Sequence, residues 1–75
     1  MPRRHAVLTT FGLNVRRQRE ARDLTQEALA EKANLDQTYI SGIECGTRNP
    51  SLLSIAKIAK ALSVSGAKLM EGVGR

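Results

Sequence analysis

Apolar positions recur at helical spacing in five short stretches of this chain, and none of them alternates with polar residues as a strand would. Phe11, Val15 and Arg19 stand four apart, so they share one side of a helix that begins after Thr9 or Thr10 and ends around Arg22 and Asp23. Leu29, Ala30 and Ala33 form the face of a second helix. Thr25 stands at its start as a hydroxyl N-cap, and it ends at Asn34, which enters the left-handed backbone region cheaply. Asp36 is placed to cap a third helix running through Ile43 and Glu44, in which Ile40 and Ile43 are the only strongly apolar residues. A loop marked by Gly46, Asn49 and Pro50 leads to a fourth helix, capped by Ser51, with Leu52, Ile55, Ile58, Ala59 and Leu62 on one stripe. Ser63, Val64 and Ser65 link it to a last helix with Ala67, Leu69 and Met70, ended by Gly72 and Gly74.

This pattern predicts an all-α fold of five short helices. Residues 1–8 read as a loose basic arm and residues 9–75 as one domain. The core should be aliphatic, because the chain has one Tyr, one Phe and no Trp. Its expected members are Phe11, Val15, Leu24, Leu29, Ala33, Leu35, Ile40, Ile43, Leu52, Ile55, Ile58, Leu62, Val64 and Leu69. Gly12, beside Phe11, would allow two helices to approach closely.

The second and third helices carry the chemistry. About three residues separate them, the length of the turn in a helix-turn-helix. With Ile40 and Ile43 turned inward, Gln37, Thr38, Ser41 and Tyr39 face outward. That face is polar and nearly uncharged, and its small groups that both donate and accept suit base edges in a major groove. Gln37 and Thr38 lie in the first turn, the part of a recognition helix that points at bases; otherwise they are solvated residues beside a cap. Ser41 and Gly42 keep the face slim. Tyr39 is either a DNA contact, through hydroxyl or ring, or the half-buried aromatic of a small core. Gln26 opens the second helix, whose free amides and positive dipole end favour a phosphate. Arg48 and Asn49 lie in a loop suited to the phosphate backbone.

Charge sharpens this reading. The net charge is +5 with a pI near 10.2, a balance that by itself also fits an RNA binder or a membrane-surface peptide. The distribution is uneven: +5 over residues 1–22, −4 over 23–44 and +4 over 45–75. Basic patches are therefore expected from the first helix and the later loops, with Arg17 a weaker candidate for phosphate contact, since a run of charge is ordinarily a solvated face. Few aromatics count against a single-stranded nucleic-acid binder, which needs stacking platforms. One Cys and one His build neither an internal disulfide nor a metal site within one chain. Cys45 has no second thiol to resolve it and reads as inert. No cofactor, nucleophile-base pair or phosphate-cradling glycine loop is indicated, so the chain is not expected to be an enzyme. The start lacks the apolar run of a signal peptide, no segment approaches the roughly 20 apolar residues of a membrane span, and a cytoplasmic protein is expected.

The threonine-glutamine opening at Thr25, the run YISGIECG, the loop RNPSL and the IAKAL helix together resemble the Xre/Cro-type helix-turn-helix regulators. The run NLDQTYISGIECGTRNPSL most resembles the controller proteins of restriction-modification systems. The likeness spans roughly residues 11–70. It implies a lambda-repressor-like fold and sequence-specific binding to double-stranded DNA at a pseudo-palindromic operator. It also implies a homodimer and makes RNA polymerase a candidate partner. It further implies a structural ion pair between Arg19 and Glu44. The family usually has Gly where Asp23 and Asn34 stand, which both residue types can replace, and often Arg or Lys where Cys45 stands, which removes one phosphate contact. The alternatives are a phage-type repressor, or an antitoxin-like module whose target is a protein. The exposed Gln, Thr and Ser of the third helix argue against the latter, because a protein groove would call for Leu, Met or Phe there. A chain of 75 residues buries only about 60% of its unfolded surface, so association with a second copy through residues 65–73, aided by the fourth helix, is expected to add stability.

Overall fold

The computed structural model describes residues 5–75. Five helices follow one another: α1 (Ala6–Glu20), α2 (Gln26–Ala33), α3 (Gln37–Glu44), α4 (Leu52–Leu62) and α5 (Gly66–Leu69). No strand occurs among the described residues. Helix α1 starts at Ala6, with His5 before it in an extended conformation that makes no side-chain cap. It therefore begins several residues earlier than the threonines suggested. Thr9 donates its amide to the His5 carbonyl inside the first turn instead of capping a later one. Of the arm expected over residues 1–8, residues 6–8 are thus helical, while residues 1–4 lie outside the described residues.

Three non-glycine residues, Asp23, Asn34 and Ser63, take left-handed backbone angles near φ +55° to +58°, and each follows the end of a helix. The next residue is in each case an aliphatic one, Leu24, Leu35 or Val64. Its amide reaches back to the carbonyl of Arg19, Ala30 or Ala59. This is the Schellman arrangement, in which the left-handed residue turns the chain and the following apolar side chain folds back onto the helix it leaves. All three apolar residues are partly buried against the core. Helix starts are equally regular: Thr25, Asp36, Ser51 and Ser65 accept from Ala28, Thr38, Ser54 and Lys68 amides respectively. Local sequence thus sets where α2, α3 and α4 begin and where α1, α2 and α4 end.

The core draws on every helix: Phe11, Val15, Leu29, Ala30, Ala33, Ile40, Ile43, Ile58, Ala59, Leu62 and Leu69. Helix α2 packs on both α3 and α4, and α1 spans α3, α4 and α5. Gly12 sits where α1 crosses the end of α3, and a Cβ there would collide with the Ile43 and Glu44 carbonyls. The close approach read from Gly12 is therefore present. Asn14, which the sequence did not single out, ties α5 to α1 by donating to the carbonyls of Leu69 and Glu71, both at 2.8 Å.

One core assignment is corrected. Leu52 is 82% exposed and its neighbour Leu53 67%, although Leu52 falls on the apolar stripe of α4. It stands in the first turn, directly after the N-cap, where the stripe has run past the edge of the core. Leu69, expected in the core, is fully buried within its own subunit, which takes it out of the surface expected for association over residues 65–73.

Candidate nucleic-acid interface

Helix α3 is eight residues long, about 12 Å at 1.5 Å per residue, comparable to the width of a B-DNA major groove. Its inner side is fixed by Ile40 and Ile43, both fully or almost fully buried. Gln37 and Thr38 are exposed in its first turn, while Tyr39, Ser41 and Gly42 are half-buried. Asp36 caps the helix by accepting from the Thr38 amide at 3.3 Å. That carboxylate already neutralises the positive end of α3, so the anion-ready helix start lies elsewhere. It lies at α2, whose N-cap Thr25 is uncharged and accepts from Ala28 at 3.0 Å. Glu27 shares that first turn, and its charge reduces what a phosphate gains there.

The far end of α3 is held by a three-part network. The Arg19 guanidinium donates twice to Glu44, from Nε at 2.7 Å and from Nη2 at 2.9 Å, and a third time to the Leu24 carbonyl at 2.7 Å. Only 3% of the Glu44 side chain and 12% of the Arg19 side chain are exposed. A bidentate pair at this depth locks the angle between α1 and α3. The hydrogen bond to Glu44 pushes Arg19 above its ordinary, already strongly basic range, against a smaller opposing effect of burial. Gln26 joins the network, donating from Nε2 to Glu44 at 3.1 Å. Its side chain, expected to face a phosphate, is thus engaged with a buried carboxylate.

A second cluster forms around Tyr39. Its hydroxyl accepts from the Ser51 amide at 3.3 Å and donates to Ser54 at 3.2 Å. The phosphate contact expected of that hydroxyl meets an oxygen already engaged with α4. Arg48 lies over the Tyr39 ring, its guanidinium carbon 6.0 Å from the ring centre, at the outer limit of a cation–π contact. The Arg48 side chain also fills the space a Cβ on Gly42 would take. Gly42 therefore leaves room for the Arg48 stem against α3. The Thr47 and Arg48 amides both donate to the Gly42 carbonyl, which fixes the start of the loop against α3.

Gln37, Thr38 and Ser41 thus stand away from the buried isoleucines of α3, Tyr39 turns its hydroxyl toward α4 with Arg48 over its ring, and Gln26 is tied to α3 through Glu44. Asn49 is exposed in the same loop and lines a shallow hollow with His5, Val7 and Leu8. Arg17 is exposed on α1, and no contact among the described residues links it to the α3 cluster. Arg16 pairs with Glu20 at 3.3 Å, and Arg22 donates to Gln18. Cys45 is an exposed free thiol. The sequence reading missed Ser51 and Ser54 as partners of Tyr39. Ser51 was visible as a cap, but nothing in spacing alone brings a tyrosine 12 residues earlier onto it.

An outward polar helix, braced at a fixed angle by the helix before it and flanked by unpaired base, defines a helix-turn-helix DNA-binding regulator. The chain belongs to the helix-turn-helix family HTH_3, whose model matches residues 15–69. It is similar to the control protein C.BamHI of Bacillus amyloliquefaciens, 48% identical over 62 residues, covering 81% of this chain and 76% of that protein. It is also similar to the solved restriction-modification controller protein C.AhdI of Aeromonas hydrophila. That match is 43% identical with a TM-score of 0.85 and covers 87% of this chain and 98% of that one. A third likeness is to C.Esp1396I bound to a 19 base pair DNA duplex, at 39% identity, a TM-score of 0.82 and 92% coverage of both chains. These relatives are transcription regulators of the controller kind, not enzymes. Among the described residues no helix is long and apolar enough to cross a membrane.

Proposed function

We propose that this chain is a cytoplasmic, sequence-specific regulator of transcription that binds double-stranded DNA as a homodimer and serves as the controller of a restriction-modification system. The observation that carries this reading is the exposed, uncharged first turn of α3, braced by α1 and α2 through Arg19, Glu44 and Gln26. Gln37 reads a base edge, with adenine N6 and N7 as its natural partners, and Thr38 offers a hydroxyl and a methyl to a neighbouring pair. Ser41 and the ring of Tyr39 complete the groove-facing surface. The start of α2 at Gln26, together with Arg48, Asn49 and Arg17, holds the sugar-phosphate backbone.

The dimer surface follows from what the fold leaves uncovered. Leu52, Leu53 and Met70 are exposed beside an apolar groove of about 150 Å³ that includes Val7, Phe11, Pro50, Ile55 and Val73. Apolar groups so placed on a small domain favour a second copy. The main weight falls on the start of α4, with residues 70–73 beside it, because Leu69 is already spent inside the subunit. C.Esp1396I forms a tetramer on its natural 35 base-pair operator, and association on DNA supports the same expectation here. RNA polymerase is the partner through which a bound regulator acts on initiation, and it belongs to the same proposal.

Selection from a pool of random duplexes tests the whole reading. The expected product is a pseudo-palindrome whose half-site centres lie about 34 Å apart, one helical turn. A pool that emerges without enrichment, or enriched for a single unpaired half-site, would falsify it.

A further inference from the structure

Tyr39 belongs to the recognition helix, yet its polar end faces away from the groove side of that helix. Helices α3 and α4 do not pack closely on each other; both rest on α1 and α2. Among the described residues, every hydrogen bond between α3 and the start of α4 passes through the Tyr39 hydroxyl. It accepts from the Ser51 amide and donates to the Ser54 hydroxyl, while Ser51 and Ser54 bond each other at 3.0 and 3.1 Å. The result is a cluster at the first turn of α4 in which the Tyr39 and Ser51 hydroxyls both donate to Ser54 Oγ and the Ser51 amide donates to Tyr39, with Ser54 itself buried. The next two residues after Ser51 are Leu52 and Leu53, the most exposed large apolar residues of the described chain. On its other side the Tyr39 ring lies under Arg48, whose stem rests on Gly42 of α3.

We propose that Tyr39 is a positioning residue that couples the reading face of α3 to the subunit-association surface at the start of α4, so that the distance between the two reading helices is itself selected. The inference rests on the DNA-binding dimer described above and goes beyond it by giving Tyr39 and Ser54 a role that neither base contact nor core packing requires. A dimer reads spacing only to the extent that each recognition helix is rigidly referred to the interface. The Tyr39 hydroxyl supplies that reference directly, where the other routes run through α1 or α2 or along the loop between α3 and α4. Linked hydrogen bonds such as Ser51 amide to Tyr39 hydroxyl to Ser54 hydroxyl resist displacement jointly, because each bond orients the group that makes the next.

The test uses the full chain with three duplexes taken from the selected operator: the operator itself, the operator with one base pair inserted between half-sites, and the operator with one half-site scrambled. Wild type, Tyr39→Phe and Ser54→Ala are compared, each with its melting temperature as a control of folding. Tyr39→Phe removes only the hydroxyl, and Ser54→Ala removes its partner while leaving the phenol intact. In both variants the penalty for the inserted base pair should fall by about tenfold, an ordinary size for residues joined in one network, while the penalty for the scrambled half-site is unchanged. If Tyr39→Phe weakens all three duplexes by one factor and Ser54→Ala changes nothing, the hydroxyl acts directly on phosphate and the coupling is wrong. If neither variant changes the spacing penalty, the hydroxyl cluster is packing only, and the coupling is again overturned. A wild-type chain indifferent to all three duplexes would instead overturn the DNA reading, and this proposal with it.

Discussion

At the scale of the residue, exposure and bonding separate reading from holding and both from structure. Gln37 is exposed with no intramolecular partner among the described residues, so Gln37→Ala removes nothing the fold uses. It should cost about 1–3 kcal/mol on the cognate site and relax preference at one base pair per half-site. Arg48→Ala should weaken cognate and random DNA by similar factors, because phosphates carry no sequence information. The ratio of the two affinities decides the assignment: were it unchanged by Gln37→Ala and collapsed by Arg48→Ala, the two roles would be reversed. Arg19→Ala belongs to a third class. It leaves the buried Glu44 carboxylate with Gln26 alone, a loss of about 3 kcal/mol, which in a domain of this size lowers the melting temperature by roughly 10 °C or more. A thermal melt within a few degrees of wild type would show that the pair is dispensable. Since Glu44 raises the Arg19 pKa, the stabilisation is, as far as the Arg19 proton is concerned, complete below the ordinary guanidinium pKa for as long as Glu44 is ionised. It is lost only as pH rises through the raised value, so no alkaline transition from Arg19 belongs to the range near neutrality. These roles were legible to different degrees. Gln37 and Thr38 could be placed from spacing, because two isoleucines fix which way an eight-residue helix turns. The second bonds of Gln26 and Tyr39 could not, because long polar side chains choose partners only after the helices have met.

Among the elements, α4 shows how a local pattern and a tertiary outcome come apart. Its stripe from Leu52 to Leu62 is continuous in sequence, but only Ile58, Ala59 and Leu62 are buried hydrophobics there, with Ile55 partly covered. In its first turn Leu52 and Leu53 face solvent. An apolar pair at that point is costly in a monomer and useful in a dimer. Replacing both by Glu should leave the melting temperature of the dilute protein unchanged and hold the chain as a monomer in sedimentation at tens of micromolar, where wild type is dimeric. A doubly substituted protein that still sediments as a dimer would move the interface elsewhere. The helix ends were more accessible to reading. Thr25, Asp36 and Ser51 announce starts by their hydroxyls and carboxylate, and Asn34 announces a stop. Ser63 gave no such warning: serine has no special ease in the left-handed region, and its conformation follows from Val64 folding back onto α4.

The whole molecule is a small basic body with an acidic middle. The −4 balance of residues 23–44 covers both helices of the helix-turn-helix, yet part of it is internally spent, Glu44 on Arg19 and Asp36 on the start of α3. The opposing patches, from α1 and from the loop after α3, leave cations such as Arg17 and Arg48 outside the ion pairs of the described residues. If each subunit makes about four phosphate contacts, a dimer neutralises about eight and log K should fall against log salt with a slope near −7. A slope shallower than about −2 on duplex DNA argues against a backbone-held dimer and for a surface that meets protein instead.

From the chain alone came the number of helices, most of their caps, the three-residue turn, the inner face of α3 and most of the core. All of these depend on residues within a turn or two of one another, where backbone preference and helical period act directly. Tertiary structure decided the rest: that α1 begins at Ala6, that Leu52 lies outside the core, that Gly42 makes room for Arg48, and that Gln26 and Tyr39 are tied to Glu44 and to Ser51 and Ser54. Each of those outcomes depends on which surfaces meet. An apolar residue is buried only where another element reaches it, and a polar side chain finds its partner only where the packing of helices brings one within about 3 Å.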